Sequence, residues 1–307
     1  MIQPLLGLSE KLRRRMDITR RGLVFGLSAT ALEHSRFTLV SIGAPQEKTD
    51  AEKFVDVRGA RLWCRDTGSG IPVVFLHSAT GQVEFWQYQF APFMQQGFRC
   101  VAYDRRGFGR TTLEPGSPPG TGADDLEALR ARLGFERFHL VSTAAGGIVG
   151  FDYALAFPDR LLSLVVSNSV GGVQDSSYAA LRSRITPSWF INLPVEFREL
   201  GPSYRASNPE GTARWLELGR LNEAAQKPNT PQTLKNSLTF AALETVKTPT
   251  LLMTGDADLY APPSVLRLFA AHMKSAQAHL FTEAGHNTYW EQPGQFNSVI
   301  TAFLSKY

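Results

Sequence analysis

A mostly parallel β-sheet flanked by helices, interrupted late in the chain by a helical insertion, is the α/β architecture this sequence predicts. Three observations predict it. Short apolar runs alternate with helix-like segments between about residues 72 and 170, and glycines mark the corners. From about residue 171 to 247 the rhythm changes to aromatic-rich, proline-broken helical segments. After residue 250 the strand–helix alternation resumes to the end. At 307 residues and 43% hydrophobic content, the chain has enough apolar material for one large core with an insertion.

Taken in order, residues 53–57 and 60–66 read as two strands joined at Arg58-Gly59. Pro72 to His77 is a continuous apolar run suited to a buried parallel strand. The segment 83–95 places Phe85, Trp86, Phe90 and Phe93 at mixed helical spacings, and Phe98 to Tyr103 is the next strand. Residues 113–122, rich in Pro and Gly, form a surface loop. Asp124 and Asp125 then open a helix over 126–133, with Arg130 and Arg132 toward its negative end and Gly134 closing it. A strand over 138–141 runs through small residues into a helix near 148–155, and 161–168 is a further apolar strand. Beyond the insertion come a strand at 250–253, a helix at 264–273, a strand at 278–281 and a last helix at 296–304. The chain thus divides into a leader and linker (1–52), a core built from 53–170 and 248–307, and a helical cap (171–247).

The formal charge of +4 is local. Residues 1–31 carry Lys11, Arg13, Arg14, Arg15, Arg20 and Arg21 against Glu10 and Asp17, which accounts for all of it. A neutral body argues against a nucleic-acid surface, which needs clustered positive charge. Thr19-Arg20-Arg21-Gly22-Leu23-Val24, the uncharged run from Leu23 to Leu32 and Ala29-Thr30-Ala31 together resemble a twin-arginine export signal. Export to the periplasm is the reading this favours. A basic leader helix on a cytoplasmic protein is the alternative. The run is too short to span a membrane, which takes about 20 residues. Cys64 and Cys100 both lie in strand-like runs, where buried free thiols are commoner than a disulfide. No zinc-type spacing of Cys or His is present.

Four short stretches carry the chemistry. They are His77-Ser-Ala-Thr-Gly81 after a buried strand, Ser142-Thr-Ala-Ala-Gly-Gly147 at a strand–helix corner, Gly255-Asp-Ala-Asp258 after a strand, and Ala284-Gly-His286-Asn287 before the last helix. In this order they resemble the landmarks of the α/β-hydrolase fold superfamily, over roughly residues 53–305. The resemblance implies a nucleophile elbow of pattern G-x-S-x-G, with Ala144 at the nucleophile position and Ser142 in place of the first glycine. It implies that Asp258 is the triad acid, with Asp256 the nearby alternative, and that His286 is the catalytic base. It implies an oxyanion hole formed by the backbone N–H groups of Ala79 and Ala145, with His77 as loop scaffold and Ser78 replacing a glycine. No metal or organic cofactor is implied.

Asp104-x-Arg106-Gly107-x-Gly109-x-Thr111 resembles the family's structural turn. A phosphate-binding reading of its glycines fails, because the P-loop lysine and the surrounding strand–loop–helix unit are missing. The expected substrate is a small, largely apolar carboxylic ester or lactone, the aromatic content of the insertion suggesting an apolar pocket.

Alanine has no nucleophilic atom. The completeness of the remaining apparatus favours an inactive nucleophile-to-alanine form of a serine hydrolase. Two other readings stay open: a ligand-binding pseudoenzyme, and a His286–Asp258 dyad serving lyase or cofactor-free oxygenase chemistry.

Overall fold

The computed structural model describes residues 49–225 and 231–307; the export-signal stretch lies outside the described residues. Nine strands form one sheet: β1 (Thr49–Val57), β2 (Ala60–Gly68), β3 (Ile71–Leu76), β4 (Phe98–Tyr103), β5 (Thr112–Leu113), β6 (Phe138–Thr143), β7 (Leu161–Ser167), β8 (Thr250–Gly255) and β9 (Ala276–Phe281). Their order is β1-β2-β4-β3-β6-β7-β8-β9, with β5 paired to β2 off this path. β1, β2 and β4 pair antiparallel, as does β5 with β2, and along the path from β4 through β3, β6, β7 and β8 to β9 every pair is parallel. The carboxyl ends of β3, β6, β7 and β8 therefore point the same way, and open α/β sheets place their sites at that edge.

The strands alternate between two cores because successive side chains face opposite sides. Val74 and Leu76 enter one layer, with Leu126 and Leu129 of α2 (Gly122–Leu133) and Phe151 of α3 (Ala145–Ala156). Val73 and Phe75 enter the other, with Phe93 of α1 (Phe90–Gln95). Segment 83–95 is thus two short pieces, a 3-10 turn over Val83–Trp86 and then α1. α2 is capped as its sequence dictates: the Thr121 hydroxyl accepts from the Asp124 N–H, and Gly134 closes the helix at φ 74°.

Cys64 and Cys100 sit on neighbouring strands but face different layers, Cys64 the first and Cys100 the second. That opposition, rather than distance along the chain, leaves both as free buried thiols.

Between β7 and β8 the chain makes α4 (Ser176–Ile185), α5 (Val195–Glu199), α6 (Pro202–Ser207), α7 (Pro209–Ala225) and α8 (Phe240–Leu243). Tyr178 and Phe240 join the first layer, and Leu200, Trp215 and Leu218 the second. The insert therefore grips both faces of the sheet. The chain ends in α9 (Pro263–His272), α10 (Thr288–Glu291) and α11 (Pro293–Leu304). Among the described residues, no helix is long and apolar enough to cross a membrane.

The Asp104 turn is built as architecture. Asp104 accepts from the N–H groups of Val83 and Arg110, both at 2.8 Å, and a Cβ at Gly109 would collide with its carboxylate. Arg106 makes two 2.7 Å bonds to Asp125, which ties the turn to α2.

Candidate active site

Ala144 stands alone between β6 and α3, at φ 49° and ψ −117°. This is backbone territory that favours glycine, and a residue with a side chain there is strained. The corner is pinned from three sides. The Ala144 N–H donates to the Ser167 carbonyl at 2.9 Å, while its carbonyl accepts from Gly147 N–H at 3.0 Å and from the Ser169 hydroxyl at 2.6 Å. The two glycines that follow are required by close approach. A Cβ at Gly146 would lie 2.5 Å from the Leu76 carbonyl oxygen, and one at Gly147 would lie 2.6 Å from Ser169 Cβ. Ser142, where the pattern has glycine, points down into the core and donates to the Val165 carbonyl at 2.7 Å. Gly150 on α3 makes the room for it, since a Cβ there would meet the Ser142 hydroxyl at 2.9 Å. Ser142 and Thr143 are both buried.

The loop after β3 faces this corner. His77 Nε2 accepts from the Arg105 N–H at 3.0 Å, so the proton is on Nδ1, which donates to the Ser78 carbonyl at 2.7 Å. Burial and the neighbouring Arg105 guanidinium hold His77 well below the usual histidine range, hence neutral. Its role in the structure is to shape the loop. Ala79 and Ala145 line the same cavity as Ala144, and among the described residues neither backbone N–H has a protein acceptor. The Ala145 N–H is one of the unpaired donors that open α3.

His286 and Asp258 meet. His286 Nδ1 lies 2.9 Å from both carboxylate oxygens of Asp258. Asp258 is buried and also accepts from the N–H groups of Tyr260 and Ala261, from Asn168 Nδ2 and from the Thr254 hydroxyl. Burial alone would raise its pKa, but the His286 charge and these donors outweigh burial and hold it below the ordinary value. Burial likewise works against the His286 cation, yet Asp258, helped by Glu199 and Glu291, lifts it above the usual 6.5. Asp256, two residues away, is exposed and accepts from the Glu283 N–H instead.

Several residues around this pair carry no pattern of their own in the sequence. Asn168, at φ 53° after β7, accepts from the hydroxyls of Ser167 and Thr288 and donates to Asp258 and the Gly285 carbonyl. Glu291 accepts from the N–H groups of Gly201, Gly285 and Asn287 and so fixes the histidine loop. The Glu199 carbonyl accepts from the His286 N–H at 2.9 Å. The Tyr260 ring lies 4.6 Å from the imidazole. The only signal for Asn168 was its place at the carboxyl end of a strand. Glu199 is brought in by tertiary packing, whereas Tyr260 follows Asp258 by two residues on the same loop.

Ala144, Ala145, Ala79 and His286 share a cavity of about 250 Å³. From the segment between β7 and β8, Arg182, Arg198 and Glu199 contribute to its lining. Its lining is largely apolar, as expected, but the apolar surface comes from Ala79, Ala144, Ala145, Ile148 and Val170 rather than from the tryptophans and phenylalanines of the insert: Trp215 and Phe190 are buried elsewhere, and Trp189 and Phe197 are exposed. A second cavity of about 330 Å³ shares Ala79 and Thr80 with the first and includes Trp215 and Arg220. Among the described residues, no cluster of three or more His, Cys, Asp or Glu is arranged to hold a metal ion.

The chain is 27% identical over 289 residues to the 2-hydroxy-6-oxononadienedioate/2-hydroxy-6-oxononatrienedioate hydrolase of Cupriavidus pinatubonensis, covering 82% of this chain and 94% of that one. Its fold is similar to that of an esterase from Thermogutta terrifontis solved with malate bound (TM-score 0.68, 24% identity, 83% and 98% of the two chains covered). It is also similar to a serine-to-alanine mutant of the meta-cleavage product hydrolase of Pseudomonas fluorescens IP01 solved with acetates (TM-score 0.66, 21% identity, 83% and 97% covered). The sequence model of the Alpha/beta hydrolase family matches residues 73–299, most of the chain, and the protein belongs to that family.

Proposed function

We propose that this cavity is the acyl site of a serine-type hydrolase for a small carboxylic ester or lactone, kept in this chain with a methyl group where the nucleophilic oxygen belongs. The observation that carries the reading is the backbone of Ala144. A strained corner at φ 49° gives an alanine no advantage, but it is the geometry that lifts a side chain clear of the sheet toward a base. His286, held through Nδ1 by Asp258, has Nε2 left to act. As it stands, the chain binds its ligand and does not turn it over by this route.

With serine at 144, the hydroxyl proton passes to His286 Nε2 as the oxygen attacks the carbonyl carbon. The displaced electron pair on the carbonyl oxygen is held by the N–H groups of Ala79 and Ala145. Collapse expels the alcohol, which takes the proton from His286. Water then repeats the attack on the acyl-enzyme, with His286 as base, and releases the acid. The named relatives are an oxononadienedioate/oxononatrienedioate hydrolase, a meta-cleavage product hydrolase and an esterase, which supports a hydrolase and leaves ester cleavage as the specific proposal.

Ala144→Ser is expected to raise turnover of short aryl esters by about 10⁴-fold or more over the unmodified chain, and adding His286→Ala to abolish the gain. A folded serine variant without ester turnover would remove the hydrolase reading and leave His286–Asp258 dyad chemistry or simple ligand binding in its place.

A further inference from the structure

The cavity beside Ala144 is chemically lopsided in a way the hydrolytic apparatus does not use. Toward the elbow its walls are the side chains of Ala79, Ala144, Ala145, Ile148 and Val170. The wall supplied by the insert carries two guanidinium groups. Arg182 of α4 donates from Nη1 to the Tyr260 carbonyl at 2.5 Å. Arg198 of α5 donates from Nη1 to the Tyr260 hydroxyl at 2.8 Å and from Nε to the Leu193 carbonyl at 3.1 Å.

These bonds fix each group by one side and leave N–H donors over, because a guanidinium has five donors and no acceptor. Both side chains are half-buried, and among the described residues neither forms an ion pair. The negative charges nearby are already engaged: Asp258 is taken up by His286, and Glu199 accepts from Asn287 Nδ2 at 3.1 Å. Among the described residues, Glu199 is the one acidic side chain lining the cavity; burial pushes its carboxyl above the ordinary pKa, and the charges of His286 and Arg198 work against that rise. Two tethered cations on the wall of a small cavity face a deficit of negative charge.

We infer that Arg182 and Arg198 bind a carboxylate on the substrate, so that the acyl compound this cavity takes is the monoester of a short dicarboxylic acid. The guanidinium fork matches a carboxylate in plane and spacing, where an ammonium would act only as a point charge. A volume of about 250 Å³ suits a short chain between the two carboxyl carbons. The apolar wall formed by Ile148 and Val170 suits that connecting chain. The inference rests on the reading of this cavity as the acyl site. It gives the small, largely apolar substrate expected from the sequence an acidic end.

The test uses the unmodified chain, whose alanine permits binding without hydrolysis. Monomethyl glutarate and dimethyl glutarate are titrated by calorimetry at low and high salt. The monoester is expected to bind about 10- to 100-fold more tightly than the neutral diester, the worth of one or two charge-assisted hydrogen bonds. That ratio should shrink with added salt, and Arg182→Gln and Arg198→Gln should each remove most of it. Equal binding of the two esters, or a ratio that survives both substitutions, overturns the assignment. So does inorganic phosphate competing as strongly as the monoester. If Arg198→Gln fails to fold because Tyr260 loses its donor, the comparison on the unmodified chain and on Arg182→Gln still decides. An unmodified chain that selects the monoester, with an Ala144→Ser variant that hydrolyses neither ester, would sink the hydrolase reading alone. Turnover of both esters without preference would sink the carboxylate alone.

Discussion

Ala144 bears a β-carbon where the backbone suits glycine, and the cost of that conformation, of the order of 1–3 kcal/mol, is paid without any hydroxyl to show for it. Ala144→Gly relieves the strain and gives back part of the gain through the freer unfolded chain. Urea unfolding should find it about 1 kcal/mol more stable than the unmodified protein. Ala144→Ser, which keeps the β-carbon, should leave stability within about 0.5 kcal/mol. The neighbouring histidine supplies a pH signature. With its pKa raised above 6.5 in the fold, His286 in the serine variant is protonated and unable to act as base until the pH passes that value. The acid limb of kcat/KM should therefore have its midpoint above 6.5 and move down in Asp258→Asn, as a pH–rate profile would record. The sign for stability is the reverse. The protonated pair stabilises the fold fully below pH 6.5, and that contribution fades as pH rises through the raised value. At this scale the sequence was readable where chemistry repeats a pattern: Asp258 and His286 stand in the order and setting that the resemblance implied, and they touch. Arg182, Arg198 and Glu199 were unreadable, since nothing local separates a cavity-lining arginine from a surface one.

At the level of elements, the strand–helix corners were legible because glycines record close backbone approach. Gly146 and Gly147 leave no space for a methyl group against Leu76 and Ser169. Ser142 looked like a departure from the pattern, and only the helix above it explains why it is tolerated: Gly150 vacates the volume that its hydroxyl fills. The loop bearing His286 is held by a device that no motif announces. Glu291, one buried carboxylate, accepts from three backbone N–H groups, at 201, 285 and 287. Glu291→Ala would strand those donors away from water. A loss of about 3 kcal/mol or more is expected by urea unfolding, together with a fall in kcat of the serine variant as the His286 loop loses its anchor.

For the whole molecule, continuous apolar runs in β3 and its neighbours specify a sheet buried on both sides, which is why the α/β class could be read from runs such as Pro72 to His77. The insert was legible as helical from its composition but not in its docking, because Trp215 and Tyr178 reach opposite faces through contacts distant in sequence. The same two-sidedness separates the cysteines. Burial pushes Cys100 up to about 12 and Cys64 further still, so neither carries a thiolate near neutrality. Ellman's reagent should find no reactive thiol in the folded protein and two after denaturation, with or without prior reductant.

The bonds that join residues 199–201 to the histidine loop have a mechanical consequence. The His286 N–H is held by Glu199, and the Gly201 and Gly285 N–H groups share one oxygen of Glu291. A displacement of the start of α6 away from the sheet would carry off the anchor of the His286 loop in the same stroke. The start of α6 and the histidine loop are thereby tied into one unit, so that a shift of either is felt by the other.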